Sequence, residues 1–461
     1  IYSSEKGQGF CGSIGKARIV EDRWAYPNEK NKAMKNMLKN IVFRAFRPAL
    51  QPFCDEVIHD MNGHAQKLAY EQNRSLLAID QVRNPHKKTI AHFAGDVFPV
   101  DSQTFIYRQI VDLERLSPFH NLVFCSYRAL LRERPYASVV VDKFPRLMDL
   151  IAELGPALLH VNYGWYAVRV YPEMEKGFAD LPLLVSLHGS DVTQIDTTYD
   201  ENYKQTMVAM GKDPRVRFTT CSQFLKDQLI RKCGIAGDKI TVTNYSYLPA
   251  FNNAKNGDYW QRGKPLRLLA VARLVRWKGH LYAIEALKQI LSAYPDTTLT
   301  IMGEGEFKDD LLKHAAKQGV QDHLIITGFT PHERLPQRLN NYDIFLMPSI
   351  TDPQTQQCEA FGVSLLEAIA AGLPVIATRT GGIPEFVGMA DEKAVLVPEK
   401  DGAAMARAVL AMLEKPQLFG PAPGPLQRHV QETYTPEMIT QRYVEIYDGL
   451  TGVKPGAARA D

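Results

Sequence analysis

The chain has 461 residues, too many for one ordinary hydrophobic core, so two or three domains are expected. Hydrophobic residues make up 45% and charged residues 23%, a balance that excludes a disordered or fibrous protein. The formal net charge of +3 is too small to predict nucleic-acid binding, and no nucleic-acid partner is expected.

The cysteines and the apolar runs indicate the cellular setting. The six cysteines are scattered without the spacing of a zinc site, so we expect reduced thiols and no bound metal. No run of about 18 apolar residues occurs, which argues against a membrane-spanning helix. The residues from Ile1 onward show no charged and then apolar leader, so no secretory signal is expected. The reduced thiols indicate a cytoplasmic protein, with contact to the inner face of the cytoplasmic membrane left open.

Residues 1–87 precede the first strand-like run and are interpreted as an N-terminal extension. A helical apolar stripe is predicted in it, formed by Met34, Leu38, Ile41, Val42, Ala45 and Phe46 and ended by Pro48. The basic residues around the stripe are Lys30, Lys32, Lys35, Lys39, Arg44 and Arg47. This pattern suits an anionic membrane surface, and the alternative is that the stripe packs on the protein's own core.

Residues 88–255 alternate short apolar runs with helix-length segments, as in a parallel sheet with crossover helices. The predicted strands are 89–93, 122–125, 158–161, 183–187, 218–221 and 240–243. The stretch 249–265, rich in Asn, Gly and Pro, is the predicted interdomain linker. This half is therefore expected to be a Rossmann-like domain.

Residues 256–433 show the same alternation of short apolar runs and helix-length segments. Residues 434–461 are predicted to form a C-terminal helix, which packs back on the N-terminal domain, and a tail. The predicted strands of residues 256–433 are 266–271, 298–302, 324–327, 344–347, 374–377 and 394–397. The fold class expected is α/β, with two doubly wound parallel-sheet domains facing a cleft. Such sheets bind ligands at the carboxyl ends of their strands, so residues just after each strand are the candidates for a site.

Two cations and two glycines follow the first strands of the C-terminal half. Arg273 and Lys278 lie between a strand and a helix, where they and backbone N–H groups can converge on a diphosphate, although a solvated basic turn is the alternative. Gly303 and Gly305 follow the next strand and predict a tight turn, which could let the backbone approach a ligand.

Two glutamates, Glu359 and Glu367, stand eight residues apart after the strand 344–347. In one helix they would be about 12 Å apart along its axis, beyond the roughly 5–9.5 Å of a glycosidase carboxylate pair. We therefore expect Glu359 in a loop and a helix that starts near Gly362. With a diphosphate at that helix N-terminus, Glu359 could accept hydrogen bonds from a sugar and Glu367 from a ribose. A nucleotide sugar contains all three parts and is therefore the expected ligand.

The segment EAFGVSLLEAIAAGLPVIA resembles the signature of the retaining glycosyltransferases of family four, which have the GT-B fold and include the bacterial polysaccharide-biosynthesis type. The resemblance covers roughly residues 88–450. It implies donor binding by Arg273, Lys278, Gly303, Gly305, Glu359, Phe361, Gly362 and Glu367, and it places the loop of residues 380–385 near the donor. Ala272 departs from the Gly that many members carry before the arginine.

The N-terminal half carries the pattern SLHGSDVT directly after a strand, with His188 and Asp191 expected to face the cleft. The resemblance implies that His188 contacts the donor sugar, so the expected catalytic residues are Glu359, His188, Arg273 and Lys278. Gly95, Ser102 and Asp191 are expected on the acceptor side. Gln103 stands where the family's loop usually has an acid.

The implied activity is transfer of a sugar to a hydroxyl acceptor with retention of anomeric configuration. The acceptor expected is a glycan, a glycolipid or a lipid-linked saccharide. Because two cations can stabilise the leaving diphosphate, no metal and no cofactor are expected, and the nucleotide sugar is a substrate. The alternatives are a sugar-nucleotide epimerase or phosphorylase of the same architecture, and a non-catalytic nucleotide-sugar-binding protein.

Overall fold

The computed structural model describes residues 87–98, 104–128, 138–140, 144–252, 254–255, 257–388 and 391–452. The predicted basic helix, Ser102 and Gln103 lie outside these residues. Within the described part of the chain, no helix combines the length and apolar character that a bilayer span requires.

The described residues of the N-terminal half form a sheet of seven parallel strands. These are β1 Thr89–Phe98, β2 His120–Arg128, β3 Ser138–Val140, β4 Leu158–Asn162, β5 Leu183–Leu187, β6 Val216–Thr220 and β7 Ile240–Val242. Their spatial order is β3-β2-β1-β4-β5-β6-β7. Strands β4 and β5 are buried at every position because helices cover both faces, which explains their unbroken apolar character.

Helices connect these strands and cover the sheet. They are α1 Thr104–Leu116, α2 Phe144–Leu154, α3 Gly164–Glu175, α4 Ser190–Thr193, α5 Glu201–Lys212 and α6 Gln223–Cys233. Local sequence sets some of their ends: the Ser222 side chain accepts a hydrogen bond from Leu225 N at the start of α6, and Gly234 ends that helix in the left-handed conformation.

The C-terminal half contains a second parallel sheet, with six strands among the described residues. They are β8 Arg267–Val271, β9 Thr298–Met302, β10 Leu324–Gly328, β11 Ile344–Met347, β12 Val375–Thr378 and β13 Ala394–Val397. Its helices are α7 His280–Leu291, α8 Lys308–Gln318, α9 Leu335–Leu339, α10 Val363–Ala370, α11 Ile383–Val387, α12 Gly402–Leu413 and α13 Pro425–Thr433.

In both sheets, the direction in which successive strands are added reverses at one point. The position of this point determines where a ligand can bind. The second sheet has the order β10-β9-β8-β11-β12-β13, so it reverses between β8 and β11, and the first reverses between β1 and β4. Crossover helices on either side of such a point leave a crevice at the strand ends. The expected two-sheet α/β architecture is confirmed.

The last helix, α14 Pro436–Thr451, lies against the N-terminal sheet. Its Tyr443 and Tyr447 share a buried apolar cluster with Ile90 of β1 and Leu158 of β4. The Tyr447 hydroxyl is 2.8 Å from His160 Nδ1. The chain therefore returns from the second sheet to complete the core of the first.

Candidate functional site

A cavity of about 470 Å³ lies between the two sheets, within the volume range of small-molecule sites. Residues after β4 and β5 line it from the N-terminal side: Tyr163, Trp165, His188, Gly189 and Ser190, together with Thr104, Phe105 and Tyr245. Residues after β8 and β11 line it from the other side: Arg273, Trp277, Lys278, Met347, Gln357, Glu359, Phe361, Gly362, Val363 and Ser364 among them. Both switch points therefore open into one cavity.

The loop after β8 places two cations around one indole. Lys278 Nζ is 4.1 Å and Arg273 Cζ is 5.9 Å from the centroid of the Trp277 ring. Gly279 then starts α7 with φ 66°, and a Cβ there would lie 1.9 Å from Pro348 O. Glycine is required at this position because both the backbone conformation and the close approach exclude a side chain.

Gly303 and Gly305 support that loop from behind. A Cβ on Gly303 would lie 1.9 Å from Ala272 O, and one on Gly305 would lie 2.2 Å from Leu274 O. The two loops are joined by hydrogen bonds, such as Leu274 N to Glu304 O at 2.8 Å. Neither glycine lines the cavity, and both lie close to the backbone around Arg273.

Glu359 and Lys278 form an ion pair in the cavity wall, with Lys278 Nζ donating to Glu359 Oε2. Their side chains are only 11% and 13% exposed. Ser349 Oγ lies 3.5 Å from the same carboxylate oxygen. Partial burial strengthens the attraction between the two charges, so each holds the other in place.

Helix α10 begins next to this pair. Gly362 precedes it with φ 102°, and Gly362, Val363 and Ser364 line the cavity. The first N–H groups of a helix have no partner within the helix and point outward with the positive end of its dipole. The cavity therefore combines two cations and a helix N-terminus, an arrangement that suits an anion such as a diphosphate.

Glu367 lies on α10 away from the cavity wall. Its side chain is 5% exposed, and its Oε1 is 2.5 Å from His332 Nε2. His332 thus contacts one of the two oxygens of the carboxylate that we expected to bind a ribose.

His188 lines the cavity as a neutral ring. Burial lowers its pKa to about 3. Its Nε2 is 3.1 Å from Asn162 Oδ1, which can only accept, so Nε2 donates, and Nδ1 accepts from the Tyr245 hydroxyl at 2.7 Å. A neutral imidazole held in one tautomer can contact a sugar but holds no positive charge.

Asp191 is buried behind His188 and ties two loops together. Its carboxylate accepts hydrogen bonds from the backbone N–H groups of His188 at 3.0 Å, Gly189 at 2.8 Å and Gly164 at 3.1 Å. Burial raises its pKa to about 6, and those N–H donors oppose the shift. Asp191 therefore shapes the N-terminal wall without lining it.

The loop of residues 380–385 packs against the same region and reaches the N-terminal domain. A Cβ on Gly381 would lie 1.8 Å from Glu359 O, and Gly382 N donates to that oxygen at 2.9 Å. The Glu385 carboxylate accepts from Gln223 N at 2.7 Å and from Phe224 N, at the start of α6. Burial raises the pKa of Glu385.

Two family models match the chain. The one described as Glycosyltransferase Family 4 matches residues 109–244, and the one described as Glycosyl transferases group 1 matches residues 256–427. The chain therefore contains both of the glycosyltransferase domains that these models describe. Each sheet thus carries its own family match, on either side of the cavity.

Curated relatives and solved structures also resemble this chain. The amylovoran biosynthesis glycosyltransferase AmsK of Erwinia amylovora is 31% identical over 47% of this chain and 52% of its own length. The GDP-mannose-dependent alpha-(1-6)-phosphatidylinositol monomannoside mannosyltransferase of Mycolicibacterium smegmatis is 35% identical over 32% of this chain and 39% of its own. This chain thus spans about half, or less, of the length of these curated relatives.

The solved structure of HepE from Anabaena in complex with UDP matches with a TM-score of 0.64 at 17% identity. It covers 78% of this chain and 100% of HepE. Identity at this level shows the fold alone, and the expected GT-B fold is confirmed.

Some of the expected site residues line the cavity, and others do not. Those that line it are His188, Arg273, Lys278, Glu359, Phe361 and Gly362. Those outside its wall are Gly95, Asp191, Gly303, Gly305 and Glu367. Gly95 packs instead on Tyr166, whose Cε2 would lie 3.1 Å from a Cβ at that position.

Sequence reasoning missed the aromatic part of the wall of this glycosyltransferase. Tyr163 and Trp165 line the N-terminal side, with Tyr245, and Trp277 lines the C-terminal side. Tyr163 and Trp165 could have been predicted, because the segment YGW follows β4 directly. Parallel sheets of this kind bind ligands at the carboxyl ends of their strands.

Proposed function

We propose that the protein transfers a sugar from a nucleoside-diphosphate sugar to a hydroxyl group of an acceptor, with retention of anomeric configuration and without a required metal ion. The acceptor proposed is a glycan, a glycolipid or a lipid-linked saccharide. One observation carries the proposal: Arg273, Lys278, Glu359 and the start of α10 face a single cavity between the two domains.

The donor's diphosphate is the part of the substrate that these groups suit best. Arg273 and Lys278 supply positive charge, and the N-terminal N–H groups of α10 supply fixed donors. Negative charge grows on the diphosphate as the sugar–oxygen bond breaks, so these groups stabilise the transition state more than the ground state. Cations already in place can do the work that a divalent ion does elsewhere.

Glu359 is proposed to bind the hydroxyl groups of the transferred sugar. Its ion pair with Lys278 fixes its position beside the diphosphate cations, so one carboxylate contacts the sugar while the phosphates lie next to it. A negative charge close to the sugar also favours the positive charge that develops on the sugar ring during transfer.

Retention is proposed to result from attack on the same face that the leaving group vacates, with the leaving phosphate accepting the acceptor's proton. His188 is an unsuitable base because burial lowers its pKa to about 3 and because its Nδ1 already accepts a hydrogen bond from Tyr245. We therefore assign His188 to hydrogen bonding with the donor sugar and assign no residue as a covalent nucleophile.

A sugar-nucleotide epimerase, a phosphorylase and a non-catalytic binding protein remain as alternatives on the same fold. The products of the reaction distinguish each of these alternatives from a transferase. An epimerase changes the donor without an acceptor, a phosphorylase requires inorganic phosphate, and a binding protein produces nothing.

The decisive test is incubation of the purified protein with a donor panel, with and without acceptors. UDP-glucose and GDP-mannose come first, since HepE was solved with UDP-glucose and the mycobacterial relative is named as GDP-mannose-dependent. We expect release of nucleoside diphosphate that depends on an acceptor. Release by none of the donors, with saccharide and lipid-linked acceptors present, would refute the transferase.

Two readouts of the same reaction test the finer parts of the proposal. The coupling constant of the anomeric proton in the product should match the configuration of the donor, and inversion would contradict retention. Activity should persist in excess chelator. Loss on chelation that magnesium or manganese restores would contradict metal independence.

We also propose a cytoplasmic protein that docks on the inner face of the membrane through the basic stretch from Lys30 to Arg47. Each Lys or Arg near an anionic surface contributes about 1 kcal/mol to such docking. Flotation with anionic but not neutral vesicles, weakened by salt and lost in a Lys32/Lys35/Lys39→Glu variant that still folds, is expected. No flotation at low salt would contradict docking.

A further inference from the structure

The loop of residues 380–385, which we call the bridging loop, lies between the main chain of Glu359 and the start of α6. Gly382 shows how closely it is enclosed. A Cβ there would lie 2.2 Å from Ala360 O on one side and 3.0 Å from Ser222 Cβ on the other. Ala360 belongs to the C-terminal domain, whereas Ser222 is the N-cap of α6 in the N-terminal domain. The bridging loop therefore packs against both domains at a single residue.

Two glycines of the bridging loop fix the main chain of Glu359. Gly382 N donates a hydrogen bond to Glu359 O at 2.9 Å. Gly381 has φ 56°, and its own close approach is to the same oxygen. A residue with a side chain is excluded there by both the backbone conformation and the lack of space. The position of the Glu359 backbone thus depends on where the bridging loop lies.

Glu385 joins the end of the bridging loop to the N-terminal domain. The Ser222 side chain accepts only from Leu225 N at the start of α6, and the two N–H groups before it, of Gln223 and Phe224, donate to the Glu385 carboxylate. These groups have no partner within the helix, and a negative charge suits the positive end of the helix dipole. Hydrogen bonds to a charged group are roughly twice as strong as neutral ones, so this anchor is a firm one.

A second contact with the N-terminal domain precedes Glu359 in sequence. Thr197 Oγ1 donates to Thr355 O at 2.9 Å, four residues before Glu359. The loop around Thr355 is shaped by Asp352, whose Oδ1 accepts from Gln354 N at 2.8 Å and from Thr355 N at 3.1 Å. The segment that carries Glu359 is therefore in contact with the N-terminal domain through residues before it and through the bridging loop.

These contacts affect Glu359 more than they affect the groups proposed to bind the diphosphate. Arg273, Lys278 and the start of α10 all belong to the C-terminal domain, so a nucleotide can meet them without help from the N-terminal domain. The Glu359 main chain is instead held through a loop that is tied to α6. Displacement of a catalytic group by about 1 Å can cost about 100-fold in rate.

We propose that Glu385 is a positioning residue: by joining the bridging loop to α6, it holds Glu359 in the place where the carboxylate meets the transferred sugar. Glu385 does not line the cavity, so it acts through Glu359 and not on the substrate. This inference rests on the proposed glycosyl transfer and adds to it a residue that makes turnover depend on contact between the two domains.

The test compares wild type with Glu385→Ala, Glu385→Gln and the control Asp401→Ala. Asp401 lies in the same domain outside the cavity wall, and its carboxylate caps α12 by accepting from Ala404 N at 2.7 Å. Both alanine substitutions thus remove a carboxylate that caps a helix, but only Glu385 joins the two domains. Kinetics use the donor and acceptor that wild type uses, calorimetry uses UDP and GDP, and circular dichroism confirms that the variants fold.

We expect Glu385→Ala to lower kcat about tenfold, the effect of losing one hydrogen-bonded charge, and to leave the affinity for UDP or GDP within about twofold of wild type. Glu385→Gln keeps one acceptor oxygen and should recover part of the rate. Asp401→Ala should keep the wild-type kcat. Exchange of the Gly382 amide, which donates to Glu359 O, should accelerate in Glu385→Ala and not in Asp401→Ala.

A double-mutant cycle distinguishes positioning from a merely structural role. In the Glu359→Gln background, adding Glu385→Ala should lower the residual kcat less than about twofold, because the carboxylate that it positions is already gone. A structural role predicts the same tenfold loss in both backgrounds.

Four outcomes would overturn the inference while leaving glycosyl transfer intact. The first is an unchanged kcat in a folded Glu385→Ala variant, and the second is the full tenfold loss in the Glu359→Gln background. The third is a loss of UDP or GDP affinity as large as the loss in kcat, and the fourth is unchanged amide exchange at Gly382. Absence of turnover by wild type with every donor would instead refute the transferase, and the positioning role with it.

Discussion

Lys278 donates a hydrogen bond to Glu359 within the cavity wall, and the two residues were expected to contact different parts of the donor. The pairing means that the carboxylate proposed to bind the sugar also holds one of the cations proposed to bind the diphosphate. Substitution of either residue therefore leaves the charge of the other without its partner, so the effects of the two substitutions are coupled.

Glu359→Gln should lower kcat about 100-fold or more, because the transferred sugar loses a charged contact that strengthens in the transition state. Binding of the nucleoside diphosphate should stay at wild-type strength or increase, since Lys278 loses its competing carboxylate. Steady-state kinetics and calorimetry measure the two effects. A wild-type kcat would remove Glu359 from the proposed role.

Arg273→Ala and Lys278→Ala should each weaken binding of the nucleoside diphosphate by about 10-fold to 100-fold and also slow transfer. The larger loss is expected for Lys278→Ala, because the partly buried Glu359 carboxylate would then face the diphosphate without its partner. Lys288→Ala is the matched control: that lysine is exposed and hydrogen-bonded to Gln318 on the outside of the domain.

A double-mutant cycle separates repulsion from simple loss of a contact. Adding Glu359→Gln to Lys278→Ala should restore part of the nucleotide affinity, although not the turnover. Affinities that combine additively would show that the pair is not coupled when the nucleotide binds.

Several strands of this protein could be predicted from sequence together with their bounds. The ranges Leu183–Leu187, Thr298–Met302, Ile344–Met347 and Ala394–Val397 agree with the prediction, because short apolar runs between helix-length segments have few other interpretations. Strand β3, Ser138–Val140, was missed, although β7, Ile240–Val242, is an equally short strand at the other edge of the sheet and was predicted.

The parts of the site that could be predicted are those that depend on residues close in sequence or on a family motif. The start of α10 beside Gly362 agrees with the prediction, since a helix start follows from local pattern. The pairing of Glu367 with His332 joins residues 35 apart in sequence, and the contact of Glu385 with α6 joins the two domains. No local rule specifies such contacts, because they depend on how the two sheets are packed.

Glu385→Ala should destabilise the start of α6 by about 1 kcal/mol, the usual cost of losing a helix cap. Its carboxylate accepts from Gln223 N and Phe224 N, so amide hydrogen exchange at those two residues should accelerate. The control is Glu392→Ala, because Glu392 is 62% exposed and pairs with Lys415 at the surface, where ion pairs contribute little. Unchanged exchange at residues 223 and 224 would contradict a capping role.

His92 lies in a buried polar cluster beneath the C-terminal helix. Its Nε2 is 2.9 Å from Asn121 Oδ1, and its Nδ1 has no hydrogen-bond partner among the described residues. Its ring centroid is 4.9 Å from that of His160, and Tyr447 of α14 packs on both rings. Burial lowers the pKa of His92 to about 4, and Asn121 and Glu114 oppose that shift only partly.

This depressed pKa predicts acid destabilisation between roughly pH 6.5 and pH 4. In that window the unfolded chain binds a proton at His92 and the folded chain does not, so the free energy of unfolding decreases as the pH falls. Between pH 7 and pH 5 the contribution is about 2 kcal/mol at most, since each pH unit is worth 1.36 kcal/mol. His92→Gln cannot titrate, so its unfolding free energy, from urea titrations at several pH values, should decrease less steeply than that of wild type. Because the comparison is one of slopes, it holds even where the variant is less stable throughout. Identical slopes would mean that folding does not shift the pKa of His92.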